Sequence, residues 1–205
     1  MRVRTATTTA VLLLAALTAC GGGDDASSKP EAAPTSAPAS SEPPAGTVEK
    51  GLSLGQSART TGDGGTGVLE ITPDTVVFSK QGGSETAANG MFAVVTMKDK
   101  AMTAAAADEP APISGGGWKW MAPDGEMVDT QVGNAFNVVM DKYNNSDPVQ
   151  SGAWQWRSQV FDLTPEQAKG GTLIYIDGEE KAHRWQMPST ASGPNVAEVM
   201  KQLAP

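Results

Sequence analysis

The chain is nearly without thiols and imidazoles, with one Cys and one His in 205 residues. That scarcity excludes an intrachain disulfide, a Cys/His zinc site and a Cys–His nucleophile pair. Basic side chains are short as well: 15 Lys and Arg stand against 23 Asp and Glu, a net charge of −8. Affinity for a phosphate backbone comes mostly from Lys and Arg neutralising it, so nucleic acid is not an expected partner. The apolar run Val11–Leu17 covers only seven residues, whereas a bilayer span needs about 20. What remains, at 39% hydrophobic, is enough to build the core of one domain.

Arg2 and Arg4 before that short apolar run have the form of a secretory signal over residues 1–19. The signal ends in Leu17-Thr18-Ala19-Cys20, which resembles the bacterial lipobox: small residues that fit a peptidase groove, then the cysteine that carries the lipid. Cleavage before Cys20 and a thioether from its sulfur to diacylglycerol are the expected processing, with fatty acyl chains such as palmitate as the anchor. One acyl chain holds a protein only marginally and two hold it stably. From Cys20 onward 13 basic and 23 acidic side chains remain, a net of −10. An acidic body is repelled by an anionic lipid surface, so attachment has to be covalent, on the extracellular face of the cell membrane.

Gly21 to Gly46 contains almost only Gly, Ala, Ser, Pro, Thr and charges, with no aromatic or branched aliphatic residue. Such a stretch cannot bury enough apolar surface to offset ordering. Together with Cys20 it is expected to be a disordered linker over residues 20–46, spanning roughly 28 Å as a flexible coil.

Residues 47–205 carry 12 basic and 19 acidic side chains and a series of short apolar runs. Val68–Ile71, Val76–Phe78, Phe92–Met97, Phe136–Met140 and Leu173–Ile176 are β-branched or aromatic and of strand length. Gly62–Gly67, Gln81–Gly83, Gly115–Gly117, Asp124-Gly125, Asn144-Asn145 and Asp177-Gly178 punctuate them. This pattern predicts an all-β antiparallel sandwich or barrel. Two helical pieces are expected: a single turn at Thr164-Pro165-Glu166-Gln167, and a C-terminal helix capped by Asn195 with Val196, Val199, Met200 and Leu203 on one apolar face.

The segments Leu54–Gln56, Val68–Ile71, Gly90–Met97, Val160–Leu163, Leu173–Tyr175 and Arg184–Met187 together resemble a telokin-like, immunoglobulin-like domain family of unknown function. That family is common in lipoproteins and secreted proteins of Gram-positive bacteria, actinobacteria especially, and is distantly similar to a mycobacterial immunoprotective extracellular antigen. The resemblance covers roughly residues 54–188 and implies an immunoglobulin-like sandwich outside the cytosol; the family is not generally known to be enzymatic. The chain departs from the family at Lys98 and Asp99, where an Asn is usual, and at Ala101–Pro112, an Ala/Pro-rich insertion.

Motifs that suggest catalysis fail on context. Gly51-Leu52-Ser53-Leu54-Gly55 matches the G-x-S-x-G nucleophile elbow, with Asp residues and His183 downstream. The elbow needs a buried strand before the serine and a helix after it, whereas a linker precedes and a Gly-rich segment follows. Gly62–Gly67 fits G-x-G-x-x-G but leads into a strand rather than a helix. Asp141, Asn145 and Asp147 approach an acidic calcium loop, yet Ser146 stands where Gly is needed and Gly152 where Glu is. No metal or cofactor is expected. Asp177–Glu180 reads as a hairpin turn with exposed charge, and His183 as a hydrogen-bonded structural residue.

Two indole pairs carry the functional expectation. Trp118/Trp120 and Trp154/Trp156 are each spaced i, i+2, so the members of a pair share one side of a strand. If residues 154–163 form one regular strand, the core placement of Phe161 and Leu163 that the family resemblance implies leaves Trp154 and Trp156 outside. A β-bulge between 156 and 160, or a loop breaking the strand there, would remove that constraint and let them turn inward. Exposed paired indoles would form a ligand platform, since apolar patches are rarely left uncovered without a partner. All four tryptophans are therefore candidate platform residues, for a protein or a cell-wall glycan. The expectation is a non-catalytic, lipid-anchored envelope protein. The alternative is an envelope hydrolase using paired carboxylates, with spacing that a sequence does not reveal. A transporter's solute-capturing lipoprotein would need two α/β lobes, which 159 β-rich residues do not supply.

Intact mass spectrometry of the protein from its native membrane is expected to show a chain beginning at Cys20 and carrying a diacylglyceryl thioether. A free thiol there would remove the anchor.

Overall fold

Strands with one apolar side pair until those sides can face each other, and this chain does so with two sheets. In the computed structural model, which describes residues 51–110 and 116–205, the elements run β1 (Leu52–Ser53), β2 (Ala58–Thr61), β3 (Val68–Ser79), β4 (Gln81–Gly82), β5 (Glu85–Thr86), β6 (Met91–Ala101), β7 (Gly117–Met121), β8 (Met127–Asp129), β9 (Trp154–Leu163), β10 (Gly171–Ile176), β11 (Ala182–Met187) and α1 (Val196–Gln202). The signal segment, Cys20 and the linker fall outside the described residues.

One sheet has the order β1-β11-β10-β7-β8 and the other β2-β3-β6-β9, with β4-β5 as a small separate ribbon. Pairing is antiparallel except where β1 lies parallel to β11. The protein is thus mostly β, with one short helix, in keeping with an all-β sandwich.

The interior joins unlike surfaces. From the first sheet come mostly large rings: Trp120 and Trp185 flank Leu173 in one row across β7, β10 and β11, and Trp118, Tyr175 and His183 form the next. The second sheet answers with smaller groups, Ala58, Ala93, Val95 and Val76, and with Phe161 and Leu163. Each buried indole finds an acceptor for its N–H: Trp118 donates to Glu109 Oε2 at 2.9 Å, Trp120 to the Gln167 carbonyl at 3.1 Å and Trp185 to the Gln56 carbonyl at 2.8 Å. An amphipathic ring is buried at little cost only when its polar edge is satisfied in this way.

β3 contains the irregularity that shapes the other side of the second sheet. Its register against β6 shifts between Pro73 and Thr75, which makes Asp74 the extra residue of a bulge and reverses the parity of the residues after it. Leu69 and Ile71 face inward before it, Val76 after it. Val77 therefore turns outward, where it joins Phe92, Val94 and Val160 in a second apolar cluster closed by Ala135, Met140, Tyr143, Val199 and Leu203. The Asp74 carboxylate ties the cover down, accepting from Thr96 Oγ1 at 2.9 Å and Asn195 Nδ2 at 3.0 Å.

Three local expectations need correction. Phe136–Met140 is not a strand: Ala135–Asn137 is a 3₁₀ turn, and the run lies across the outer face, burying Met140 while leaving Phe136 77% exposed. Its apolar character serves as a lid over Val77 and Phe92 rather than as a ladder. In α1, Asn195 makes no side-chain cap; its Nδ2 donates to Asp74 instead, and Met200 is exposed while Val199 and Leu203 are buried. Finally, Asp177 is not an exposed turn charge. It is buried and accepts backbone N–H groups from Thr61, Glu179 and Lys181 together with the His183 ring. The turn at Thr164 does form, with reciprocal bonds from Thr164 N–H to Gln167 Oε1 at 2.8 Å and from Gln167 N–H to Thr164 Oγ1 at 3.3 Å.

Asp162 pins the apolar end of β9. Its buried carboxylate accepts from the backbone N–H groups of Ala88, Asn89 and Asn134, each at 2.8 Å. Gly133 takes φ +61° so close to it that a Cβ would stand 2.2 Å from Oδ2. Because bonds to a charged acceptor contribute about 1.5–3 kcal/mol each and are not additive, Asp162→Ala is expected to cost about 3 kcal/mol or more in urea unfolding. Gly133→Ala is expected to be destabilising in the same assay.

Candidate functional site

β9 is the strand on which the sequence left two outcomes open, and its register decides between them. The pairing with β6 runs without interruption from Met91 opposite Leu163 to Lys100 opposite Trp154. No bulge intervenes, so Phe161 and Leu163 face inward and Trp154 and Trp156 outward. Trp154 is 47% exposed; Trp156 is half-buried. Their rings meet edge to face at 5.6 Å, and Trp156 meets Tyr143 in the same way at 5.8 Å. Lys98 Nζ lies 4.2 Å from the centre of the Trp154 ring, and Lys142 Nζ 5.4 Å from that of Trp156. Asn145 Nδ2 donates to the Trp156 carbonyl at 2.7 Å, so this member of the supposed calcium loop supports β9 instead.

Trp118 and Trp120 do not belong to a platform. They are 3% and 0% exposed, with Trp118 stacked at 4.6 Å on Tyr175 and Trp120 at 5.8 Å from Phe161. β7 lies between β10 and β8 in its sheet, and the side that carries its indoles faces the other sheet.

The inward side of the same β9 segment holds a polar arrangement that the sequence did not announce. Arg157 is buried and collects three carboxylates: Asp99 at 3.4 Å from Nε, Asp108 at 2.9 Å from Nη2 and Glu109 at 3.8 Å from Nη1. Nη2 also donates to the Asp147 carbonyl at 2.7 Å. Asp99 comes from β6, whereas Asp108 and Glu109 follow Ala107, which bridges Val149. Burial, and then the carboxylates of Glu109 and Asp108, push the Asp99 pKa well above the ordinary value, with Arg157 pulling the other way. Burial also opposes the Arg157 charge, but the surrounding carboxylates outweigh it and hold its pKa above the usual value. The only signal available beforehand was the departure at Lys98 and Asp99. An Asp at an inward strand position requires a polar partner or a bound proton, and only a fold could say which.

A cleft of about 290 Å³ adjoins this network, lined among others by Asp108, Glu109, Trp118, Asn145, Arg157 and Gln159. Asp99 itself is 0% exposed, so a substrate in the cleft would meet Glu109 and Asp108 but not Asp99. Among the described residues, no group of three or more His, Cys, Asp and Glu is arranged to hold a metal ion.

The serine motif is likewise unsupported. Ser53 pairs with Gln186 in parallel β1/β11, three residues from His183. That separation is about 10 Å along a strand and places the two side chains on opposite faces. His183 instead shares the Asp177 carboxylate at 2.9 Å. Burial works to raise the Asp177 pKa, but this bond and three backbone N–H groups more than offset it, and the pKa falls below the usual carboxylate value. Gly62–Gly67 forms the turn that leads into β3; Gly67 sits at φ +72°, where a Cβ would press on Ala107 at 2.8 Å.

A raised folded-state pKa means that the Asp99 contribution is full below the unfolded-state value of about 3.9 and is lost as pH rises through the folded value. Asp99→Asn is therefore expected to leave stability at pH 7 unchanged or higher and to flatten its dependence on pH. Arg157→Gln, which strands three carboxylates, is expected to cost about 3–5 kcal/mol. Urea unfolding at several pH values checks both; a large loss for Asp99→Asn at pH 7 would contradict the raised pKa.

No protein-family model matches the chain, and no curated protein matches it. Among solved structures it is similar to a conserved hypothetical protein from Bacillus anthracis, with a TM-score of 0.42 and 14% identity over 65% of this chain and 94% of that one.

Proposed function

We propose that the protein is a lipid-anchored, extracellular envelope protein whose non-catalytic sandwich holds a protein or cell-wall glycan partner on the outer face of β9. The observation that carries this reading is Trp154, nearly half exposed on a regular strand beside Trp156. An indole has a large apolar face, and leaving it in water on a rigid strand makes it available for stacking or for contact with a partner. The lipobox-like Leu17–Cys20 and the linker after it would place that face outside the membrane, within reach of the wall polymer.

The telokin-like and immunoglobulin-like likeness belongs to the same proposal. Two packed sheets of the right size and a strand pattern over residues 54–188 favour it. Strand order also favours it: β3-β6-β9 in one sheet and β11-β10-β7-β8 in the other follow the A-B-E and G-F-C-C′ orders of immunoglobulin sheets.

A hydrolase reading draws on the Asp99, Asp108 and Glu109 carboxylates beside the cleft. It is weaker, because Asp99 is sealed from solvent and Arg157 neutralises the group.

Binding of purified wall glycan fragments, followed by tryptophan fluorescence, tests the main reading. Trp154→Ala is expected to weaken binding at least tenfold with thermal unfolding unchanged, since the ring is largely outside the core. Equal binding by the variant and the parent would remove the platform.

A further inference from the structure

The outer face of the β2-β3-β6-β9 sheet is covered over only half its length. α1 and the 135–143 segment lie on Val77, Val94 and Val160, and beyond the Asp74 bulge the register sets out two open rows. Arg59, Glu70, Lys100 and Trp154 stand opposite one another across all four strands, and Thr72, Lys98 and Trp156 form the neighbouring row. Adjacent strands are about 4.8 Å apart, and residues directly opposite project to the same side, so each row is a straight line of side chains across the sheet.

The charge of this region is opposite to that of the protein. Register and contacts place Arg59, Lys98, Lys100 and Lys142 here, against the carboxylates of Glu70 and Glu198. The chain as a whole carries −8. Lys142 is paired with Glu198 at 2.8 Å, while Arg59, Lys98 and Lys100 form no ion pair with another described residue. Lys98 lies over one side of the Trp154 ring, and the ring keeps nearly half of its surface open. A cation on an indole beside further unpaired cations suits a ligand that offers both a ring to stack and an anion to pair.

We propose that this open half-face docks an acidic polysaccharide, with a sugar ring on Trp154 supported by Trp156, and the polymer's anionic groups on Lys98, Lys100 and Arg59. This deepens the function proposed above, on which it rests, by fixing the chemistry of the partner. A neutral glycan would use the indoles and leave the cations idle. An acidic peptide surface would use the cations but has no need of a flat row four strands wide.

The test uses the full-length protein in detergent and five probes: polygalacturonate and phosphomannan, which bear carboxylates and phosphates respectively; dextran and mannan, which are neutral; and inorganic polyphosphate, which has charge without rings. Affinity electrophoresis and Trp fluorescence are expected to show at least one acidic polysaccharide bound tenfold or more tightly than both neutral polymers and polyphosphate, with the advantage shrinking as salt is raised. Trp154→Ala and the pair Lys98→Gln/Lys100→Gln are each expected to reduce that binding at least tenfold with circular dichroism unchanged. Neutral polymers bound as tightly as acidic ones, with loss in Trp154→Ala, would overturn the acidic specificity while leaving the platform standing. Polyphosphate bound as well as the polysaccharides would reduce the face to a charge patch. Self-association that depends on Trp154 would make a second copy the occupant. Binding of none of the probes would overturn the acidic-polysaccharide reading and leave a protein as the partner of the proposed function.

Discussion

The structure depends on one buried guanidinium. Arg157 sits on the inward side of β9, where a continuous sandwich core would have an aliphatic side chain, and a lone charge there would be prohibitive without partners. Three carboxylates from two separate parts of the chain supply them. The consequence reaches beyond the charges. Asp99 is held at an inward position of β6, and Asp108 and Glu109, from the stretch after that strand, reach the same guanidinium. One end of the interior is therefore apolar and built on indoles, while the other is ionic, with Trp118 linking the two through its bond to Glu109.

The same residue fixes the outer face. Cross-strand partners alternate sides strictly, so an inward Arg157 makes Trp156 outward, and Asp99 inward makes Lys98 and Lys100 outward. A bulge in β9 would have turned the indoles into the core and broken the Arg157 network at once. The bulge occurs instead in β3 at Asp74, where it turns Val77 outward to give α1 something apolar to cover. The inner ionic end and the outer cation-and-indole face are thus two sides of the same strand registers.

Much of the architecture was legible. The runs Val68–Ile71, Phe92–Met97 and Leu173–Ile176 became strands because β-branched and aromatic residues fit a pleated surface with one buried side. The Thr164 turn and the helix after Asn195 were readable from local chemistry. Phe136–Met140 misled because the apolar content of a short run reports burial, not hydrogen bonding: a lid and a strand look alike until a neighbour is assigned. Asn195 misled similarly, since a cap residue can be claimed by a distant carboxylate. Of the candidate platform, Trp118 and Trp120 went to the core because β7 lies within a sheet whose indole side faces its partner, a placement no local signal encodes.

The sequence by itself determined the β class, the turn positions and the pairing of indoles on common sides of strands, because these come from periodicities of a few residues. Only the tertiary structure decided which side each pair faces, that Arg157 gathers Asp99, Asp108 and Glu109, and that Arg59, Lys98 and Lys100 line up with Trp154. Those outcomes depend on strand register between segments tens of residues apart, and register is set by the packing of the whole sandwich rather than by any one segment's composition.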